Sequence, residues 1–319
     1  MGITDRLTVR ARRRVCNAGR SVPFRQAQEL LEELSGWSID AGTIRRTVHA
    51  EAKRATETRS GRDALPKAFA KTPGDWELQI DAGKVNTAEG WRDVKVGVFA
   101  KRERGESASS DTEERGLPNP GVRAVIAAVE GVGEFGPRCR AEADRLGLPD
   151  VLQLTVLGDG AEWIWGLAGT HFYGASEVLD VYHAIEHLAT AGRTAVGEGP
   201  AFTLWLESAK GLLVGGGYLG ACEALAKPLE DPEATAKLAS ASGEVLNYLA
   251  NHRERLNYAL RLNRGQSIGS GLVEGTIKEL VNLRIKRTGA RWRANHVGPF
   301  VEFLALANSE EYDEYWTSA

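Results

Sequence analysis

Between residues 76 and 181 apolar residues alternate with a period of two in three successive stretches, and helical stretches then separate two further apolar runs. That order restricts the fold more than any other feature of the chain. Trp76-Glu77-Leu78-Gln79-Ile80-Asp81 alternates like a strand and ends on an aspartate, and Ala82-Gly83 reads as a turn. Trp91 to Ala100 alternates again through Val94, Val96 and Val98, and Arg123 to Val129 makes a third strand. Phe135 to Leu146 reads as a helix. Val151 to Leu157 reads as a fourth strand, and Glu177 to Val181 as a fifth after a Trp-rich helical segment. The predicted order is β-β-β-α-β-α-β. Residues 101–120 carry charge with Ser107, Ser109, Ser110, Pro118 and Pro120, the composition of a mobile loop.

Two later runs stop on acidic residues. One ends on Gly158-Asp159-Gly160, the other on Asp180-Val181-Tyr182-His183. The carboxyl edge of an open α/β sheet is where such folds hold ligands and metals. Three meandering strands, a helix and a fourth strand parallel to the first make the ribonuclease-H-like order. The expected fold is therefore α/β, with a mixed five-stranded sheet. Its first and fourth strands are neighbours, which sets Asp81 beside Asp159. Glu274, from a late helix, is the candidate third carboxylate. Phosphoryl transfer uses this chemistry, because two hard divalent ions activate the attacking oxygen and stabilise the leaving one. Mg²⁺ favours a few carboxylates completed by water and phosphate. Each residue also has a plainer reading. Asp81 and Asp159 stand before glycines, an ordinary turn signal, and Glu274 lies in a helical first turn that the macrodipole favours for acids. Asp180 and His183 form a D-x-x-H pair that either orients the imidazole or caps the helix opening near Ala184. His183 and His187 have a spacing that suits zinc, without a third ligand nearby.

The rest of the chain sorts by period and charge. No apolar run approaches the roughly 18 residues of a spanning helix, so no membrane role is expected. Three cysteines without a CxxC pair argue against a disulfide framework or a cysteine zinc site. Net charge is −3, yet residues 1–62 hold 13 Lys/Arg against 7 Asp/Glu and residues 264–293 hold 7 against 2. Two basic ends around an acidic body suit a protein that grips a polyanion. Residues 1–58 contain two short helices, 22–34 and 41–58, joined by a Gly36 turn, which resemble a helix-turn-helix with Arg45 and Arg46 on the second helix. Residues 59–75 read as a linker, 76–183 as the first part of the catalytic core, 184–266 as an all-helical insertion, and 267–319 as helices completing the core. In the last part, Arg284, Lys286, Arg287, Arg291 and Arg293 surround Trp292, a pattern for neutralising phosphates and stacking on an unpaired base. A solvated basic helix end would look the same.

Three stretches, VLGDGAEWIW, EVLDVYHAIEHL and IGSGLVEGTIKELVNLRIKRTGARW, resemble in order and wording the DDE transposases of ISKra-type insertion sequences, relatives of the Mutator-like group. The similarity runs from about Phe24 to Trp316 and includes the ending EYDEYW. Ala82 stands where the group's pattern has glycine, and Cys16 is the one cysteine in an N-terminal region where the group carries a cysteine-containing segment. The resemblance implies a ribonuclease-H-like core interrupted by a helical insertion and catalytic, metal-holding Asp81, Asp159 and Glu274. It also implies Mg²⁺ dependence, with Mn²⁺ as a substitute, and cutting and joining of double-stranded DNA at element ends and target. Asp180 and His183 map onto the group's D-x-x-H pair as supporting residues. Assembly as a homo-oligomer on DNA and a place at the bacterial nucleoid follow from the same resemblance, while the sparse cysteines make a reducing cytoplasm the expected compartment. Two other expectations remain open: a structure-selective nuclease, and a truncated or domesticated transposase that only binds DNA.

Overall fold

The computed structural model describes residues 7–108, 117–287 and 289–318. Four helices come first: α1 (Val9–Ser21), α2 (Phe24–Ser35), α3 (Ala41–Glu57) and α4 (Ala64–Lys71). Asp40 caps α3 by accepting the Thr43 N–H at 3.0 Å. Ile44, Val48, Ala52 and Ala55 then fall on one buried face. Gly36, at φ +66, closes α2 in the left-handed conformation that glycine adopts without strain. Helix α1 was not expected. Arginines crowd its sequence, and only Val15, Cys16 and Gly19 mark its inner face together with buried Arg12. Arg12 reaches Glu51 of α3 at 3.4 Å, so one of those arginines is a core residue.

The segment 59–75 is more than a linker, because α4 buries Leu65 and Phe69 against the sheet. The sheet follows as β1 (Asp75–Thr87), β2 (Gly90–Arg102), β3 (Val122–Ala128), helix α5 (Val132–Leu146), β4 (Leu154–Gly158), α6 (Glu162–His171) and β5 (Ser176–Leu179). Its order is β3-β2-β1-β4-β5. β1 runs antiparallel to β2 and parallel to β4, and β5 is parallel to β4. The fourth strand is shorter than expected, since Val151–Gln153 forms a 3₁₀ turn ahead of it. The loop expected over 101–120 is partly described. Its near end is tied down, with the Gly105 and Ala108 N–H groups donating to the Gly265 and Leu262 carbonyls at 2.9 and 3.0 Å. Ser109 and Ser110 lie outside the described residues.

Residues 184–266, expected to be helical, form α7 (Val181–Val196), α8 (Pro200–Ala226), α9 (Pro232–Asn251) and α10 (Tyr258–Asn263). The glycine run at 215–217 appears as a kink inside α8 at Gly217. The chain closes with α11 (Gly271–Ile277), a π-helical stretch (Lys278–Ile285), α12 (Ala294–Ala307) and α13 (Glu311–Ser318). The result is a mixed α/β protein in three layers. Leu78, Ile80, Phe99 and Ile126 face α4 to α10. Val94, Val96, Val98 and Val125 face α11 to α13 and the N-terminal helices. Residues 1–58 therefore do not stand apart from the rest: α3 packs on α12, within the core of the second face. Among the described residues no helix is long and apolar enough to cross a membrane.

Candidate active site

The site begins with β1. Its strand does not stop at Asp81, and Ala82-Gly83 is not a turn. Pairing with β2 continues from Asp81↔Val96 to Thr87↔Gly90. Its other neighbour, β4, ends at Gly158, which pairs with Ile80. Asp159 is the first residue past β4 and lies one strand, about 5 Å, from Asp81. Asp81 is thus fixed by a ladder on one side and open on the side where β4 gives way. Gly83 serves a close approach, since a Cβ there would sit 3.0 Å from Val281 of the π-helical stretch.

Alternation puts Ile80 on the face of the helical insertion and sends Glu77, Gln79 and Asp81 to the other face. Glu77 and Gln79 are the polar members of that alternation, yet they are 3% and 1% exposed. They hold the segment that leads to Glu274. Gln79 Oε1 accepts the Leu272 and Val273 N–H groups at 3.0 and 3.3 Å, supplying the cap that α11 lacks from its own sequence. Gln79 Nε2 donates to Glu77 Oε2 at 3.2 Å, and Glu77 also accepts from Ser267 Oγ and from Arg102 Nε. Arg261, buried behind this row, donates to the Ser267 carbonyl at 2.7 Å.

Asp180 is the second anchor. It is 2% exposed and accepts the His183 backbone N–H at 2.8 Å, the Ser270 N–H at 2.5 Å and Ser270 Oγ at 2.8 Å. Ser270 Oγ also stands 3.0 Å from Glu274 Oε1, and its single proton serves one carboxylate at a time. The D-x-x-H pair is therefore a helix cap joined to a positioning contact. Asp180 meets the His183 main chain, and the imidazole has its Nδ1 3.7 Å from Glu186 Oε2.

Asp159 is held from the insertion. Its Oδ1 accepts the Ala161 N–H at 3.0 Å, and its carbonyl accepts the Tyr248 hydroxyl at 3.0 Å. Gly160 has φ +99, and a side chain there would collide with that hydroxyl. Tyr248 stacks on His187 with ring centroids 3.7 Å apart and meets His252 at 4.8 Å. Burial, then the neighbouring charge of His183, lowers the His187 pKa. Neither Tyr248 nor His252 was predicted, because a helix more than eighty residues downstream leaves no local signal of contact with a strand end.

Asp81 is electrostatically coupled to Asp159, Glu274 and His183. Burial raises the Asp81 carboxyl to about 6 from its ordinary 3.8; the Ala82 N–H opposes this, Asp159 and Glu274 add to it, and His183 offsets part. None of the three carboxylates has a Lys or Arg partner among the described residues. Neither is any group of three His, Cys, Asp or Glu side chains drawn together tightly enough for a metal among those residues. The carboxylates converge without closing on one point. Their hard oxygen donors and unneutralised charge fit a divalent cation such as Mg²⁺.

The basic segment divides. Arg45, Arg46, Lys286, Arg287, Arg291 and Arg293 are exposed. Arg284 is not: it is 5% exposed, donates from Nε and a terminal nitrogen to the Gly19 carbonyl at 3.1 and 2.8 Å, and lies over Phe24 and Phe300. Burial lowers its pKa to about 10. Trp292 is also occupied. Its Nε1 donates to the Ile285 carbonyl at 3.2 Å, it stacks on Phe300, and its backbone bridges Thr87. Both residues tie α1, β1 and α12 together, and both also line a cavity on that side of the molecule. No protein-family model and no curated protein matches the chain.

Proposed function

We propose that the chain is a DDE transposase, a polynucleotidyl transferase that cuts an insertion-sequence end and joins it to target DNA on a ribonuclease-H-like core. The observation that carries this reading is the convergence of Asp81, Asp159 and Glu274, brought from three separate stretches into one electrostatic neighbourhood. The sheet order β3-β2-β1-β4-β5, with β1 and β4 parallel, supports the core assignment. Asp81, Asp159 and Glu274 would hold Mg²⁺, which supplies charge stabilisation at the attacking and leaving oxygens. The protein fixes the three donors by different means: a paired strand for Asp81, the Tyr248 anchor for Asp159, and the Gln79 and Ser270 contacts for Glu274. Water would attack the phosphodiester first, and the freed 3′-hydroxyl would then attack the target strand in line. Exposed Arg45, Arg46, Lys286, Arg287, Arg291 and Arg293 would neutralise DNA phosphates.

The test is strand transfer on element-end DNA with Mg²⁺, comparing wild type with Asp159→Asn. The reading predicts joined products from the wild type alone. Equal products from both would overturn it. Cleavage without joining would point to a nuclease, and DNA binding indifferent to Mg²⁺ and to all three carboxylates would point to a DNA-binding protein.

A further inference from the structure

The exposed arginines of two distant segments meet at one cavity. It has a volume of about 670 Å³ and opens where the start of α2, the middle of α3, Arg287, residues 289–293 and the start of α12 come together. Four exposed arginines, Arg45, Arg287, Arg291 and Arg293, line it beside buried Arg284 and half-buried Trp292, and no acidic side chain does so among the described residues. None of these four arginines is paired with a carboxylate among those residues. Arg287 and Arg291 instead donate to the Leu283 and Ala88 carbonyls at 2.9 and 3.0 Å.

The inner wall has different chemistry. His49 and His296 stack with ring centroids 4.5 Å apart and an interplanar angle of 27°. Phe24 meets His49 edge-on at 6.0 Å. His49 Nδ1 is buried without a hydrogen-bond partner. Burial, then His296, Arg45 and Arg284, lowers the His49 pKa to about 4, so that ring is uncharged at neutral pH. A cationic rim around a flat aromatic wall matches a ligand that joins phosphate to a planar ring. The volume suits a single small ligand and excludes a duplex.

We propose that this cavity receives one unpaired nucleotide of the bound DNA, its phosphate on Arg45, Arg291 and Arg293 and its base on the His49–His296 wall. The proposal rests on the reading of the chain as a DNA-processing protein. The position is also defined. Trp292 bridges Thr87, six residues along β1 from Asp81, which is on the order of 20 Å.

The experiment titrates the full chain, without divalent ions, against three fluorescein-labelled duplexes of one sequence. One is fully paired, one carries a single unpaired thymidine, and one carries an abasic residue at that position. The wild type should bind the thymidine probe about tenfold more tightly than the other two, within the range that stacking one base supplies. His296→Ala should erase that preference and leave paired-duplex binding intact. His296→Phe, which keeps a flat wall, should retain it. Arg291→Ala with Arg293→Ala should weaken binding to all three probes. Equal wild-type binding to the three probes, with strand transfer intact, overturns the pocket alone. So does a preference that survives in both His296→Ala and the arginine pair. Preference without strand transfer on any substrate supports the pocket and overturns the transposase reading. Binding to none of the probes overturns both.

Discussion

Replacing Asp81 with asparagine should make the protein more stable at neutral pH. Asp81 sits with its carboxyl raised to about 6 by burial and by Asp159 and Glu274. In the unfolded chain it returns to about 3.9. The folded state therefore holds the proton more tightly between those values. Asp81 contributes stability below the unfolded value and loses it as pH rises through about 6. At about 1.4 kcal/mol per pH unit between the two values, the burden at pH 7 has an upper limit of ~3 kcal/mol. Solvent screening at this half-buried position reduces it to ~1–2 kcal/mol. The asparagine side chain would keep the acceptor that receives the Ala82 N–H and remove the charge. Urea unfolding followed by circular dichroism, without divalent ions, should show the Asp81→Asn variant more stable at pH 7 and equal to wild type near pH 3.5. Adding Mg²⁺ should narrow the pH 7 gap by stabilising the wild type. A variant less stable than wild type at pH 7 would refute the reasoning, because Asp81 would then be a structural group rather than a strained one.

Other perturbations separate positioning from chemistry. Gln79→Leu leaves the Leu272 and Val273 N–H groups without their acceptor. It should lower stability by about 1–3 kcal/mol in urea unfolding and slow DNA cleavage, with unchanged cleavage counting against the proposed path to Glu274. Asp180→Ala removes the α7 cap and the Ser270 anchor together. Its melting temperature should fall by several degrees, and Mg²⁺ should restore little of the loss. Arg291→Ala and Arg293→Ala should each reduce the slope of log affinity against log salt by about 1. Arg284→Ala should lower thermal stability and leave that slope in place, since its fork is spent on Gly19.

The strands were legible because one face of each is apolar, and a period of two survives in any sequence that builds such a face. The meeting of Asp81 with Asp159 followed from that order. What could not be read has a common cause. A buried polar residue looks like a surface residue until its partner is known. Glu77 and Gln79 alternate with Trp76, Leu78 and Ile80 as a solvent face would, yet their partners are Ser267, Leu272 and Val273. Arg284 is indistinguishable in type from Arg287, and only the Gly19 carbonyl and the Phe24–Phe300 contacts separate them. Helix α1 escaped for the same reason, with Arg12 counted as surface although it pairs with Glu51. Ala82-Gly83 carried a turn signal that β2 overrides, because a strand with a paired neighbour continues past a glycine. The role of Gly83 beside Val281 depends on tertiary packing alone.

The central claim is that Asp81, Asp159 and Glu274 act as one unit. Single-turnover cleavage of element-end DNA in Mg²⁺ should be compared for wild type, Asp81→Asn, Asp159→Asn, Glu274→Gln and the triple variant. Residues of one catalytic unit are strongly non-additive. Each single variant should therefore fall to nearly the rate of the triple variant. A Glu274→Gln enzyme that cleaves at close to the wild-type rate, while the two aspartate variants are inactive, would contradict the three-carboxylate account.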